Sequence, residues 1–114
     1  MIENTFNEKN SVFNFPFRIL THRVSLPTKY PAQVLITVPK RNFKLAVDRN
    51  LIRRRIKEAY RKHKHQLYAH LEKENIQLAI IIIYVGKAEL SYAEIEKKLI
   101  LSLSKIINQS DSQS

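Results

Sequence analysis

From Phe13 to Ile19 apolar residues occupy alternate positions, with Phe13, Phe15, Phe17 and Ile19 separated by Asn14, Pro16 and Arg18. A period of two is the mark of a strand, so residues 12–24 are predicted to form one. Pro16 cannot donate to a ladder, which puts the start of that strand at an edge or a bulge. The segment SLPTKYPAQ (25–33) holds two prolines and reads as a connection, with room for a further short strand within 22–33. VLITV (34–38) predicts a second strand that Pro39 helps to end. The period then changes. From about Leu45 onward Ile52, Ile56, Ala59, Tyr60, His63, Leu67 and Leu71 recur every three or four residues, as on the buried face of a helix. QLAIIIIYV (77–85) is a short β-branched block, expected to be a central strand buried on both faces and ended by Gly86, the only glycine.

The residues at the two ends are less patterned. Ile2 and Phe6 give residues 1–10 weak helical character. Ser91-Tyr92-Ala93-Glu94 is a capping box opening a last helix, with Ile95, Leu99, Leu103 and Ile106 on its inner face. NQSDSQS (108–114) is polar and expected to fray as a disordered tail. The predicted order is α-β-β-α-β-α, an α+β arrangement in a single domain over residues 1–107.

Composition narrows the chemistry. With no cysteine among 114 residues, disulfides, thiolate metal sites and cysteine nucleophiles are excluded. The first ten residues, MIENTFNEKN, lack the basic start and apolar run of a signal peptide, and the apolar run Leu78–Val85 falls far short of the ~20 residues of a membrane helix. The expectation is a cytoplasmic protein with no membrane partner. His22, His63, His65 and His70 have no metal-ligand spacing, Asp48 stands alone, and one glycine cannot build a phosphate loop. No catalytic residue and no metal site are expected in the chain.

Charge changes the picture most. The formal net charge is +10, yet Lys40–Lys64 alone holds eleven Lys/Arg against Asp48 and Glu58, a net +9 within 25 residues. Charge needed only for solubility would be scattered, so this concentration points to a polyanion. At about 100° per residue, Asn50, Arg53, Arg54, Lys57, Arg61 and Lys64 share an arc of about 100° beside the apolar face. Arg53, Lys57 and Arg61 repel one another at i, i+4 by a few tenths of a kcal/mol per pair, a cost that a phosphate backbone would offset. A basic helix lying on a membrane would want a broad Leu/Trp/Phe face, whereas this one offers Ala59, Tyr60 and His63. A helix-turn-helix reading duplex DNA needs a second helix across a tight turn, whereas strands are predicted on both sides. RNA is the favoured partner.

The stretch AVDRNLIRRRIKEAYR (46–61), with five Arg and one Lys, resembles the RNR signature of the bacterial ribonuclease P protein subunit. Ala46, Val47, Arg49, Asn50, Arg54 and Glu58 match that signature outright, while Arg53 stands for its Lys and Lys57 for its Arg. VLITVPKR before it, and IIIIYV followed by SYAEIEKKL after it, are similar to the family's flanking elements, so the likeness covers about residues 2–107. Three features depart from the pattern. The chain begins partway through the family's basic first helix, Lys44 stands where a Gly is common, and the cations after the last strand are reduced to Lys87.

This resemblance implies a two-layer α/β sandwich like the second domain of ribosomal protein S5, with the basic helix in a left-handed β-α-β crossover. It implies an accessory protein that binds the catalytic RNA of ribonuclease P and the 5′ leader of precursor tRNA, without requiring a protein partner. Hydrolysis would fall to the RNA subunit with Mg²⁺, bound mainly by that RNA. Arg49, Asn50, Arg53, Arg54, Lys57 and Arg61 are expected to face the RNA, with Lys40, Arg41 and Lys44 extending the surface. Phe6 and Phe17 are expected in a leader-binding cleft, where aromatic rings stack on bases. The alternative is a non-enzymatic RNA-binding ribosomal or assembly factor on the same fold.

Overall fold

The computed structural model describes residues 9–27 and 29–112. Among these residues four strands and two helices follow in the order β1 (Lys9–Asn14), β2 (Phe17–Arg23), β3 (Ala32–Thr37), α1 (Ala46–Glu74), β4 (Leu78–Tyr84) and α2 (Tyr92–Ser112). The strands form one sheet in the order β1-β2-β4-β3. β1 and β2 are an antiparallel hairpin, β2 pairs antiparallel with β4, and β3 pairs parallel with β4 from Ala32↔Leu78 to Thr37↔Ile83. The chain is therefore α+β, with α1 as the crossover between the parallel strands β3 and β4.

Both helices cover one face of the sheet. Ile52, Ile56, Ala59, Leu67 and Leu71 of α1, and Ile95, Leu99 and Ile106 of α2, meet Phe17, Ile19, Ile80, Ile82 and Tyr84, and all are sealed from solvent. Polar contacts set the helix ends and join the hairpin to the helical layer. The Ser91 capping box forms as its spacing predicts: Glu94 N–H donates to Ser91 Oγ at 3.2 Å, and Glu94 Oε1 accepts from the Ser91 hydroxyl at 3.2 Å. Asn14 Nδ2 donates to Lys98 O at 3.1 Å and Ser102 Oγ at 3.3 Å, joining the hairpin to α2. α1 ends at Asn75, which adopts φ 58° and so takes the left-handed cap position usual for glycine.

Four expectations change. The apolar alternation of 12–24 is two strands, because the chain reverses at Phe15-Pro16; the missing N–H of Pro16 falls in the turn, where no ladder needs it. The additional strand therefore comes from residues 9–14 and not from 22–33. β4 is central but has only one sealed face. Leu78, Ile80, Ile82 and Tyr84 are buried under the helices, while Ala79, Ile81 and Ile83 are half-buried on the far side. α2 runs on to Ser112, so residues 108–112 continue the helix in place of the expected frayed tail. The helical reading of residues 1–8, and with it Phe6, lies outside the described residues.

Candidate RNA interface

One side of α1 must face the core, which dictates where its cations point. With Ile52, Ile56, Ala59, Leu67 and Leu71 buried, the opposite arc carries Asn50, Arg54, Lys57 and Arg61, all exposed, and Arg53, half-buried. The predicted stripe therefore exists as one outward face, with about 1.5 Å of rise per residue along a single helix.

Within the stripe the cations differ in state. Arg61 is paired by its own helix, Nε and Nη2 donating to Glu58 Oε1 and Oε2 at 3.1 and 2.7 Å. That bidentate hydrogen bond, reinforced by the charge of Arg61, holds the Glu58 carboxyl below its ordinary value and raises the Arg61 guanidinium. Arg53 Nη1 donates to Asn50 Oδ1 at 2.8 Å, which fixes both side chains one turn apart. Lys64 turns along the helix to place Nζ 5.1 Å from the centre of the Tyr68 ring. Among the described residues, neither Arg54 nor Lys57 has a hydrogen-bond or ion-pair partner, so both are ready for an external anion.

The β3–α1 connection adds a second basic element. Lys40, Arg41 and Lys44 are exposed around a turn closed by Asn42 N–H to Pro39 O at 3.2 Å. Phe43 points inward, 5.9 Å from the Tyr84 ring. Arg49 is the exception among the residues predicted to face RNA. It lies about 100° from Asn50, on the side of Ile56 and Leu67. Its Nη1 donates to Phe43 O at 2.7 Å and Lys44 O at 3.2 Å.

Phe17 requires a correction. It is 0% exposed beneath the helices and packs edge-on against Tyr84 at 6.0 Å, so its ring belongs to the core and is closed to any base. The hairpin turn causes this, since it sends Phe13 and Phe15 outward at 62% and 57% exposure. Phe13 shares the sheet face that no described element covers with Arg18, Ile83 and Thr37 through the pairs Phe13↔Arg18, Arg18↔Ile83 and Thr37↔Ile83.

Arg55 has a role that its place in the basic run did not single out. It donates to Leu90 O and pairs with Glu89 Oε2 at 3.0 Å, pinning the β4–α2 connection to α1. Its helical angle, about 140° from Asn50, already separates it from the stripe. Three acids are committed in the same way: Glu58 to Arg61, Glu89 to Arg55 and Glu96 to His63 at 2.7 Å. Among the described residues no three His, Asp or Glu side chains come together as a group that could hold a metal ion. No described helix is long and apolar enough to cross a membrane.

Known proteins share this architecture and sequence. The chain is 29% identical over 105 residues to the ribonuclease P protein component of Porphyromonas gingivalis, covering 92% of this chain and 77% of that one. Over a 59-residue stretch it is 41% identical to the ribonuclease P protein component of Chlorobium phaeobacteroides, covering 47% of this chain and 40% of that one. The RNase P protein of Thermotoga maritima superposes with a TM-score of 0.68 at 19% identity, covering 91% of this chain and 89% of that one. That of Staphylococcus aureus gives 0.65 at 24% identity, covering 92% and 87%. The model of the family described as Ribonuclease P matches residues 1–107. A one-sided basic helix on this sheet, carrying the RNR signature, places the chain in the ribonuclease P protein family.

Proposed function

We propose that the chain works as the protein component of ribonuclease P by docking the outward face of α1 and the β3–α1 connection on the enzyme's RNA. The observation that carries this reading is the stripe itself: Asn50, Arg53, Arg54, Lys57 and Arg61 share one solvent face while the opposite face holds the core together. Attraction between this surface and phosphate is largely counterion release, so binding should depend steeply on salt. With about five to seven phosphates neutralised, log K falls against log salt with a slope near −4 to −6. A slope near −1 would remove the stripe as the docking surface.

In this reading the RNA subunit performs the hydrolysis with Mg²⁺ that it mainly holds itself, and the chain acts in the cytoplasm without a further protein partner. The 5′ leader of precursor tRNA is assigned to the uncovered sheet face, where Phe13 and the half-buried Ile81 and Ile83 offer an apolar platform beside Arg18. Reconstitution tests the whole. The purified chain, added to a bacterial ribonuclease P RNA at low Mg²⁺, should restore cleavage of precursor tRNA at its mature 5′ end. Binding to that RNA without restored cleavage would instead favour a non-enzymatic RNA-binding factor.

A further inference from the structure

We infer that Arg49, although it stands at a signature position, acts on RNA through the β3–α1 connection and is a positioning residue for Lys40, Arg41 and Lys44. This rests on the RNA-docking role proposed above. Three observations carry it. First, Arg49 lies outside the outward arc, on the side of Ile56 and Leu67, so its side chain starts from the edge of the core. Second, its guanidinium donates to two successive carbonyls, Phe43 O at 2.7 Å and Lys44 O at 3.2 Å, which clasps the connection back against the first turns of α1. Third, little else fixes that stretch. The helix starts at Leu45 without a side-chain cap, and on the loop side the described ties are the Asn42–Pro39 turn and the buried Phe43 ring beside Tyr84. The three loop cations are all exposed; Lys44 projects from a peptide that Arg49 holds, and Arg41 and Lys40 lie two and three residues before Phe43. Both bonds leave one nitrogen, Nη1, whose two N–H bonds are held at a fixed angle in the guanidinium plane, whereas an ammonium is a compact point charge turning on a flexible stem.

Charge and geometry can therefore be separated with Arg49→Lys, which keeps the charge and loses the fixed planar donor. Three chains would be titrated against a bacterial ribonuclease P RNA over a range of salt: wild type, Arg49→Lys and, as control, Arg23→Lys, at an exposed site on the end of β2 outside the stripe and the loop. Arg49→Lys should bind more weakly with a slope shallower by about 2, since each phosphate that is no longer neutralised takes about 0.9 from it. Arg23→Lys should keep the wild-type slope. In a chain already carrying Lys40→Ala, Arg41→Ala and Lys44→Ala, Arg49→Lys should change the slope no further, the non-additivity expected of a residue acting through those three. Without any RNA, trypsin should cut after Arg41 and Lys44 several-fold faster in Arg49→Lys than in wild type, because the connection opens locally. Arg49→Gln, read by trypsin alone, should show the same opening and guards against an idiosyncratic lysine conformer.

Wild-type slope and wild-type trypsin pattern in Arg49→Lys would overturn the inference while leaving the docking role intact. A wild-type chain that binds no ribonuclease P RNA would overturn both.

Discussion

Phe13 and Phe17 sit four residues apart in one alternating run, yet the first is 62% exposed and the second 0%. Removing the Phe17 ring leaves a void against Tyr84 and Ile19, and Phe17→Ala should cost about 3–5 kcal/mol in urea unfolding. Phe13→Ala should cost less than about 0.5 kcal/mol, as expected of a surface site, and should instead weaken binding of a precursor tRNA relative to mature tRNA. Equal losses of stability would contradict the placement of the two rings. The same pair shows what periodicity leaves open. Period two gives the faces of a strand, but a reversal at Phe15-Pro16 swaps which neighbours each face meets, and a single proline does not distinguish a bulge from a turn. Arg49 shows a complementary limit, since a signature marks that a side chain matters without saying whether it touches RNA or its own backbone.

At the scale of elements, the two helices were legible because each carries its own local signal. The i, i+3/i+4 apolar rows set their inner faces, and the Ser91 box set where α2 begins. Ser91→Ala should lower stability by about 1 kcal/mol through loss of that cap, with Ser91→Asp keeping most of it, as read from denaturant midpoints. The clasp between the helices was not legible, because His63 and Glu96 are 33 residues apart. The hydrogen bond from His63 outweighs the opposing effect of burial and, helped by electrostatic attraction to His63 and by the Tyr92 hydroxyl, holds the Glu96 carboxyl below its ordinary 4.5. A lowered folded-state value means that the clasp's contribution is complete above pH 4.5 and is lost as pH falls through the folded value. The stability difference between wild type and Glu96→Gln should therefore be present at neutral pH and shrink on acidification. A difference that grew toward acid would have the wrong sign. Strand order was also hidden, since β4 enters the sheet between β2 and β3 although it follows both in sequence.

For the whole molecule, location of charge should matter more than amount. Arg54→Glu with Lys57→Glu, and Lys97→Glu with Lys105→Glu, each lower the formal charge by four units, from +10 to +6. All four side chains are exposed, but the first pair lies on the stripe and the second on α2. The first pair should flatten the salt slope of RNA binding by about 2, while the second leaves it within about 0.5. Equal effects would mean that the chain acts as a diffuse cation. The concentration of charge in 25 residues made this surface visible without coordinates, because attraction to a polyanion needs only proximity along one helix. The uncovered sheet face, by contrast, is assembled from β1, β2, β3 and β4, and only pairing brings Phe13, Arg18, Ile83 and Thr37 into one row.

α1 gives one side to the core and the other to solvent over most of its 29 residues. A library of every substitution between Ala46 and Glu74 would thus separate two heritable traits that share one element. Cellular abundance of the protein and its retention on RNA should each oscillate along the helix with a period of about 3.6 residues. The two waves should run roughly half a period apart, so that alleles at Ile52, Ile56 and Ala59 deplete the protein while alleles at Arg54 and Lys57 leave it plentiful and unbound. Arg49, whose side chain serves the loop, should fall between the two phases.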